Sequence, residues 1–236
     1  MMYARFWKRF LDVVLSFAAL VVLLPVLLVL TVVGAVVMGG NPFFSQIRPG
    51  KDEKLFRLVK FRSMNNRRDS TGKLLPDEKR LTAYGRFIRA TSLDELPELW
   101  NILRGDMSIV GPRPQLVRDM VFMTPEQRRR HSVMPGLTGL AQCSGRNAIS
   151  WDKKLEYDLR YVQKITLWGD ILILLKTVVG VFKREGIAEE NMATAEDLGD
   201  HLLRIGKISP EFYEEKQAEA EQLLQDFLKQ EVRLEA

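Results

Sequence analysis

The stretch from Val13 to Met38 carries no charged residue and is long enough to cross a hydrocarbon core of about 30 Å. A chain with such a segment must either bury it in a core or hand it to a bilayer. It is too long for the apolar region of a signal peptide, and no small-x-small cleavage site follows it. Pro25 sits near its middle. Proline deletes a backbone hydrogen bond and clashes with the preceding turn, so a kink or break is expected there. Arg5, Lys8 and Arg9 precede the stretch, and Arg48, Lys51, Lys54 and Arg57 follow it. By the positive-inside rule both flanks read as cytoplasmic. A re-entrant hairpin accommodates the proline and the charges together, whereas a straight single span accommodates only the length. The residues alone leave both open.

Beyond this segment the pattern changes. Lys54 to Met64, KLFRLVKFRSM, alternates apolar and basic residues and predicts a short strand with one dry face. Asp69 to Leu74, DSTGKL, has turn chemistry. Helices are expected around Arg80 to Arg89, from Leu93 to Leu103 with Gly105 as its stop, and over Trp151 to Val162 and Asp170 to Lys183. The last of these is apolar over most of its surface and suits a core or a lipid interface. Composition shifts after about Gly186. Ser209 and Pro210 then look like the N-cap and first position of a further helix. That helix carries Phe212, Leu223, Leu224, Phe227 and Leu228 among Glu, Gln and Lys, as a surface element available for an oligomer contact. The expected organisation is a membrane hairpin over 1–40, a catalytic domain over 41–190 and a helical extension over 191–236.

Charge and reactive residues narrow the function. Lys and Arg total 35 against 30 Asp and Glu, a net charge of +5. This mild surplus suits a surface facing phosphates or anionic lipids; without a clustered basic face, nucleic acid is not an expected partner. Cys143 is the single cysteine, which excludes an intrachain disulfide and fits a reducing compartment. It has no Cys or His at ligand spacing and reads as a packing residue. His131 and His201 are far apart, and His131 follows Arg128, Arg129 and Arg130 in what reads as a solvated charge run. Zinc chemistry and histidine-dependent triads are therefore not expected.

The densest chemistry lies in Arg89 to Pro114, RATSLDELPELWNILRGDMSIVGPRP. Ser92 and Glu95 fit a capping box that opens a helix, and on that reading Asp94 and Glu95 are merely acidic residues favoured by the helix dipole. The functional alternative is phosphoryl transfer. One carboxylate can attack phosphorus and form an acyl phosphate, and the other can hold Mg²⁺. Arg89, and Arg113 in the GPRP turn, can pair with phosphate oxygens in two-pronged fashion.

KFRSM, SLDELPELWNILRGDMSIVGPRP and PGLTGLAQCSGRNAISWDKKLEYD, in that order after a hydrophobic N-terminal segment, resemble the bacterial sugar transferase family, the monotopic phosphoglycosyl transferases. The resemblance covers roughly residues 5–190. It implies an enzyme at the cytoplasmic face of the bacterial inner membrane. Such an enzyme moves a sugar-1-phosphate from a UDP-sugar to undecaprenyl phosphate, or another polyprenyl phosphate, and releases UMP. The family dyad falls on Asp94, the nucleophile of a covalent aspartyl-phosphosugar, and on Glu95, a Mg²⁺ ligand. The family's basic positions for phosphate and substrate fall on Lys60, Arg89 and Arg113. The implied fold is mainly α with a small β-hairpin: a re-entrant helix-break-helix turning at Pro25, interfacial helices and a compact cytoplasmic catalytic domain. The family break is often Ser-Pro, whereas here it is Leu24-Pro25, without a hydroxyl to satisfy freed backbone groups. The GRNAISW segment resembles members acting on N-acetylated UDP-sugars, with galactose and glucose donors also open. Two other classes compete: a membrane-anchored scaffold of envelope assembly, and a Mg²⁺-dependent phosphate hydrolase.

Overall fold

The computed structural model describes residues 3–145, 149–182 and 196–235. Arg146, Asn147 and Ala148 of the GRNAISW segment lie outside them, as do the basic points Lys183 and Arg184 expected at the end of the apolar helix.

Helix α1 runs from Lys8 to Met38 and is continuous through Pro25. The expected break is thus not an interruption of the helix. Proline removes only one backbone bond, and packing on both sides of it holds the rest: Ala19, Leu20 and Leu23 before it, and Leu27 and Leu30 after it, lie on the domain core. The helix ends at Gly39, which takes a left-handed φ of 65° that side chains rarely adopt. Its outer face is bare, with Phe17, Val22 and Val36 exposed.

The flanking charges behave differently from a free membrane flank. Lys8 pairs with buried Asp170 at 2.7 Å. Arg9 donates to the carbonyls of Ile102 and Leu103 at 2.6 and 3.0 Å. Buried Asp12 accepts from the Ile109 N–H at 3.0 Å. At the far end, the Tyr84 hydroxyl donates to the Leu30 carbonyl at 3.0 Å. Both ends of α1 therefore lie against the same body. Among the basic residues after the stretch, Arg57 is ion-paired with Glu231, and Arg48 is drawn into the domain, where it binds the Pro114 carbonyl at 3.2 Å.

The chain next forms the expected hairpin. Strands β1 (Phe43–Pro49) and β2 (Leu55–Phe61) pair antiparallel from Phe43↔Phe61 to Pro49↔Leu55. The Phe43 and Phe61 rings stack at 5.2 Å. Helix α2 (Ala83–Ala90) begins later than Arg80, because Leu81 is extended and the Thr82 hydroxyl accepts the Gly85 N–H as a cap. Gly85 is needed here: a Cβ would sit 1.9 Å from the Ser63 carbonyl oxygen. A single 3₁₀ turn over Leu93–Glu95 leads to α3 (Glu98–Arg104), which stops at Gly105 as the sequence indicated.

A second sheet was not legible beforehand. Strands β3 (Ser108–Val110) and β4 (Gly136–Thr138) pair in parallel, separated by short helical turns that include Val117–Met120. Helix α4 (Trp151–Gln163) is capped by Ser150, and α5 (Leu167–Phe182) exposes Trp168 and Leu172 along one side. Cys143 packs half-buried near Val110, Tyr161 and Ile173, as expected of a packing residue. Helices α6 (Leu198–Arg204) and α7 (Pro210–Glu235) follow, the latter starting at the proline that the sequence marked. Ala220, Leu223 and Leu224 of α7 share a core cluster with Val117, Met120, Trp151 and Leu155. The C-terminal helix is thus packed onto its own chain.

Candidate active site

The dyad does not open an α-helix. Ser92 takes a left-handed conformation, φ 56° and ψ 19°, and its side chain makes no capping bond. The capping box is therefore absent. Pro97 and the residues after it start the α-helix later, and the chain before them turns sharply. A non-glycine residue in that region carries a strain of about 1–3 kcal/mol, of a kind that clusters at functional sites. The turn re-aims the two carboxylates toward β2 and the GPRP segment.

Three elements meet there. Strand β2 brings Lys60, whose ammonium lies 3.0 Å from Glu95 Oε1 and 3.0 Å from Glu98 Oε1. The GPRP segment brings Arg113, whose Nη2 lies 2.5 Å from the same Glu95 oxygen. Helix α2 brings Arg89, held by an Nε hydrogen bond to the Ser63 hydroxyl at 2.8 Å and close enough for its charge to favour the Asp94 carboxylate. The structure therefore brings Asp94, Glu95, Lys60, Arg89 and Arg113 together. Pro25 is elsewhere, within α1.

The electrostatics separate the two dyad members. Burial, followed by the adjacent Glu95 charge, raises Asp94 to about 6, against the pull of Lys60, Arg113 and Arg89. Burial opposes ionisation of Glu95 as well, but Arg113 and Lys60 more than offset it and hold that carboxyl well below the usual range. Glu98 is buried and raised to about 7, by desolvation and by Glu95, with Lys60 opposing. The Glu95 charge holds Arg113 firmly protonated. Glu95 is thus a fixed anion between two cations, while Asp94 has a carboxylate that is ionised at neutral pH yet poorly solvated. Such a group is a competent nucleophile.

The turn that presents Arg113 is itself clamped. Arg130 donates from Nε and Nη2 to Asp158 Oδ2 at 2.9 and 2.7 Å, and its Nη2 also donates to the Arg113 carbonyl at 2.5 Å. The side chains of this pair are 1% and 3% exposed. Arg48, lowered to about 10 by burial and by the Arg113 charge, holds the next carbonyl, that of Pro114. Gly111 lets the GPRP backbone approach β4 closely, since a Cβ there would meet the Met134 carbonyl at 2.4 Å. The Asp94 charge is felt by Tyr84, the residue whose hydroxyl binds the Leu30 carbonyl of α1.

The comparison with known families matches this region. Residues 3–184 fit the model of the family described as bacterial sugar transferase. The chain belongs to that family. A sugar transferase of Bacillus subtilis, EpsL, described as uncharacterised, is 48% identical over 189 residues, which are 80% of this chain and 94% of that protein. A UDP-galactose-lipid carrier transferase of Erwinia amylovora is 39% identical over 200 residues, 78% of this chain and 42% of the relative. An undecaprenyl-phosphate galactose phosphotransferase of Salmonella typhimurium is 39% identical over 201 residues, with the same two shares. The chain thus spans nearly all of the Bacillus relative and under half the length of the other two. The bacterial sugar transferase segment contains the whole dyad site, while α6 and α7 lie beyond it.

Sequence reasoning missed Glu98, Arg48 and the Arg130–Asp158 pair. Glu98 had a signal: it stands three residues after Glu95, and residues at that spacing in helical chain share a face. Arg130 and His131 are corrections. The Arg128–His131 run reads as solvated, yet Arg130 and His131 are buried, because Asp158 supplies a carboxylate from α4 that no local pattern announces.

Proposed function

We propose that this bacterial sugar transferase moves a sugar-1-phosphate from a UDP-sugar to undecaprenyl phosphate and releases UMP, through an aspartyl-phosphosugar on Asp94. The observation that carries the reading is the division of labour in the dyad. Glu95 is pinned by Lys60 and Arg113, whereas Asp94 is half-buried, partly desolvated and flanked by three cations. An Asp94 oxygen attacks the sugar-bearing phosphorus, the bond to the UMP oxygen breaks, and UMP departs. An oxygen of undecaprenyl phosphate then attacks that phosphorus and returns the Asp94 carboxylate. Each step exchanges one high-energy phosphorus–oxygen bond for another, so no ATP is needed. Arg113 and Arg89 hold phosphate oxygens, and preorganised charge supplies most of the acceleration.

The donor set suits Mg²⁺. Lys60 and Arg113 both occupy Oε1 of Glu95, which leaves Oε2 and the Asp94 carboxylate for a cation. Among the described residues there is no group of three or more His, Cys, Asp or Glu that could hold a metal. Magnesium commonly takes one or two carboxylates and completes its shell with substrate phosphates and water. When bound, it would neutralise charge on the diphosphate of the donor.

Helix α1 supports a membrane arrangement. Its length of about 46 Å at 1.5 Å per residue exceeds a hydrocarbon core of about 30 Å, yet both its ends lie against the domain. That supports re-entry from one face, with the bare outer side of α1 and the Trp168 side of α5 in lipid. The catalytic domain would then face the cytoplasm of the inner membrane, where UDP-sugars are found. A galactose donor is favoured by the names of the Erwinia and Salmonella relatives; the N-acetylated alternative is tested beside it.

The test is UMP release from a panel of UDP-sugars with and without undecaprenyl phosphate, with intact-protein mass spectrometry. Expected are a phosphosugar adduct on the protein without acceptor and turnover only with it. Turnover without acceptor would favour a hydrolase, and no release with any donor would favour a scaffold.

A further inference from the structure

The reaction as written employs Asp94 and Glu95 and leaves a third carboxylate idle. Glu98, in the first turn of α3, is 1% exposed. Its Oε1 lies 3.0 Å from the Lys60 ammonium, the same distance as Glu95 Oε1. No aligned hydrogen bond reaches that Glu98 oxygen, so what it offers Lys60 is charge. Burying a carboxylate is costly, and a well-packed apolar side chain of similar size is often as stable. The next residue, Leu99, and Ile102 are already core residues of the same helix. Stability alone therefore gives no reason for an acid at this position.

The strand backbone beside Lys60 is already fixed by α3. Asn101 accepts the Val59 N–H at 3.1 Å and donates to the Arg57 carbonyl at 2.7 Å. What stays free is the flexible four-carbon stem of Lys60, which carries a compact charge. Among the described residues, two carboxylates hold that charge, Glu95 and Glu98, and Asp94 is not one of its ion-pair partners. Of the three cations that favour the Asp94 carboxylate, however, Lys60 weighs most. Without Glu98 the ammonium would have one anchor instead of two, and the Asp94 charge would draw it over. An ammonium seated on Asp94 would engage the oxygen that must attack phosphorus. It would also repel a divalent cation at the same carboxylate.

We propose that Glu98 is a positioning residue: it holds the Lys60 ammonium on the Glu95 side and so keeps the Asp94 carboxylate open for attack. The inference rests on the function proposed above for Asp94. Glu98 acts through Lys60 alone, and its effect should vanish when Lys60 is gone.

The experiment uses the full chain in phospholipid nanodiscs, at about pH 8 so that the Glu98 carboxyl, raised to about 7, is ionised. Glu98→Leu removes the charge at similar size, and Glu98→Gln removes it but keeps an oxygen that Lys60 can still reach. The single-turnover rate of phosphosugar loading is expected to fall at least tenfold with Leu and at least threefold with Gln. The KM for the UDP-sugar should stay within twofold and Tm should not fall. In a Lys60→Met background the same Glu98 changes should alter the loading rate less than twofold, because the ammonium they release is absent. Equal losses with and without Lys60, wild-type loading in both variants, or a loss that follows a drop in Tm would overturn the proposal. A crystal structure of Glu98→Leu requires no turnover. It is expected to place the Lys60 ammonium within about 4 Å of an Asp94 oxygen, at ion-pair distance, and an ammonium still resting on Glu95 alone would also overturn the proposal. A shifted Lys60 in a protein whose wild type loads no phosphosugar would refute the transfer reaction and leave the positioning of Lys60 by Glu98 standing.

Discussion

Replacing Arg130 with Met removes one half of an ion pair that is almost entirely out of solvent, at 1% and 3% exposure. The Asp158 carboxyl is already raised by burial, and Arg130 is the main force keeping it ionised. Without Arg130 it must protonate or remain as an uncompensated buried charge, and breaking such a pair costs about 3–5 kcal/mol. The variant also loses the bond to the Arg113 carbonyl, which overlaps with that cost instead of adding to it in full. A loss of about 4 kcal/mol is expected, or roughly 8–16 °C in Tm for a domain of this size. Thermal unfolding in detergent, followed by tryptophan fluorescence, reads it directly. The double variant Arg130→Met with Asp158→Leu removes both charges and should recover at least about 2 kcal/mol, because a well-packed apolar pair is often as stable as a buried ionic one. Its activity should stay low, since nothing then clamps the Arg113 carbonyl. A single variant that melts within 3 °C of wild type, given ~2–4 °C per kcal/mol, or a double variant no more stable than the single, would refute the reasoning.

Asp94→Asn keeps the shape but loses the anionic nucleophile, so neither adduct nor turnover should be seen by mass spectrometry, while Tm holds or rises because a carboxylate disfavoured by desolvation and by the adjacent Glu95 charge is gone. Glu95→Gln should cut activity by at least about tenfold and weaken its dependence on added Mg²⁺ in an EDTA titration; full wild-type activity in excess EDTA would remove the metal from the scheme. His131 is lowered to about 4 from 6.5 by burial and by Arg130. The native state thus refuses a proton that the unfolded chain accepts, so stability is intact above about pH 6.5 and falls by up to about 3 kcal/mol toward pH 4. His131→Gln should flatten that part of the Tm–pH curve, and an unchanged curve would assign the loss to other groups. Gly85→Ala should lower Tm by several degrees and reduce activity, because α2 must move off Ser63 and carry Arg89 with it.

Local chemistry wrote some elements openly into the sequence. Alternation gave β2, Ser209 and Pro210 gave the start of α7, and Gly105 gave the end of α3. The dyad and its cations were legible as residues because the motifs are contiguous. Their arrangement was not. Ser92 has the residue type of a cap, yet its backbone is left-handed and its side chain caps nothing. The parallel pair of β3 and β4 has three-residue strands too short for any periodicity. Arg130 and Arg48 look like surface charges until partners distant in the chain enclose them. Pro25 suggests a break through its local backbone cost, the basic flanks and the family resemblance, whereas the packing of Leu20, Leu23, Leu27 and Leu30 on the core carries the helix past it.

The docking of α1 has a consequence for engineering. An anchor joined by a linker can be cut off or exchanged, and the domain it leaves behind still folds. Here, deletion of α1 would strip the cover from Phe61, Ile88, Leu99 and Ile102, and would orphan the Ile109 N–H and the carbonyls of Ile102 and Leu103. The helix is part of the enzyme's interior on one side and of its surroundings on the other. A truncated soluble version should therefore aggregate, and a chimaera with an unrelated apolar helix should fail unless it keeps Arg9, Asp12 and the leucines that face the core.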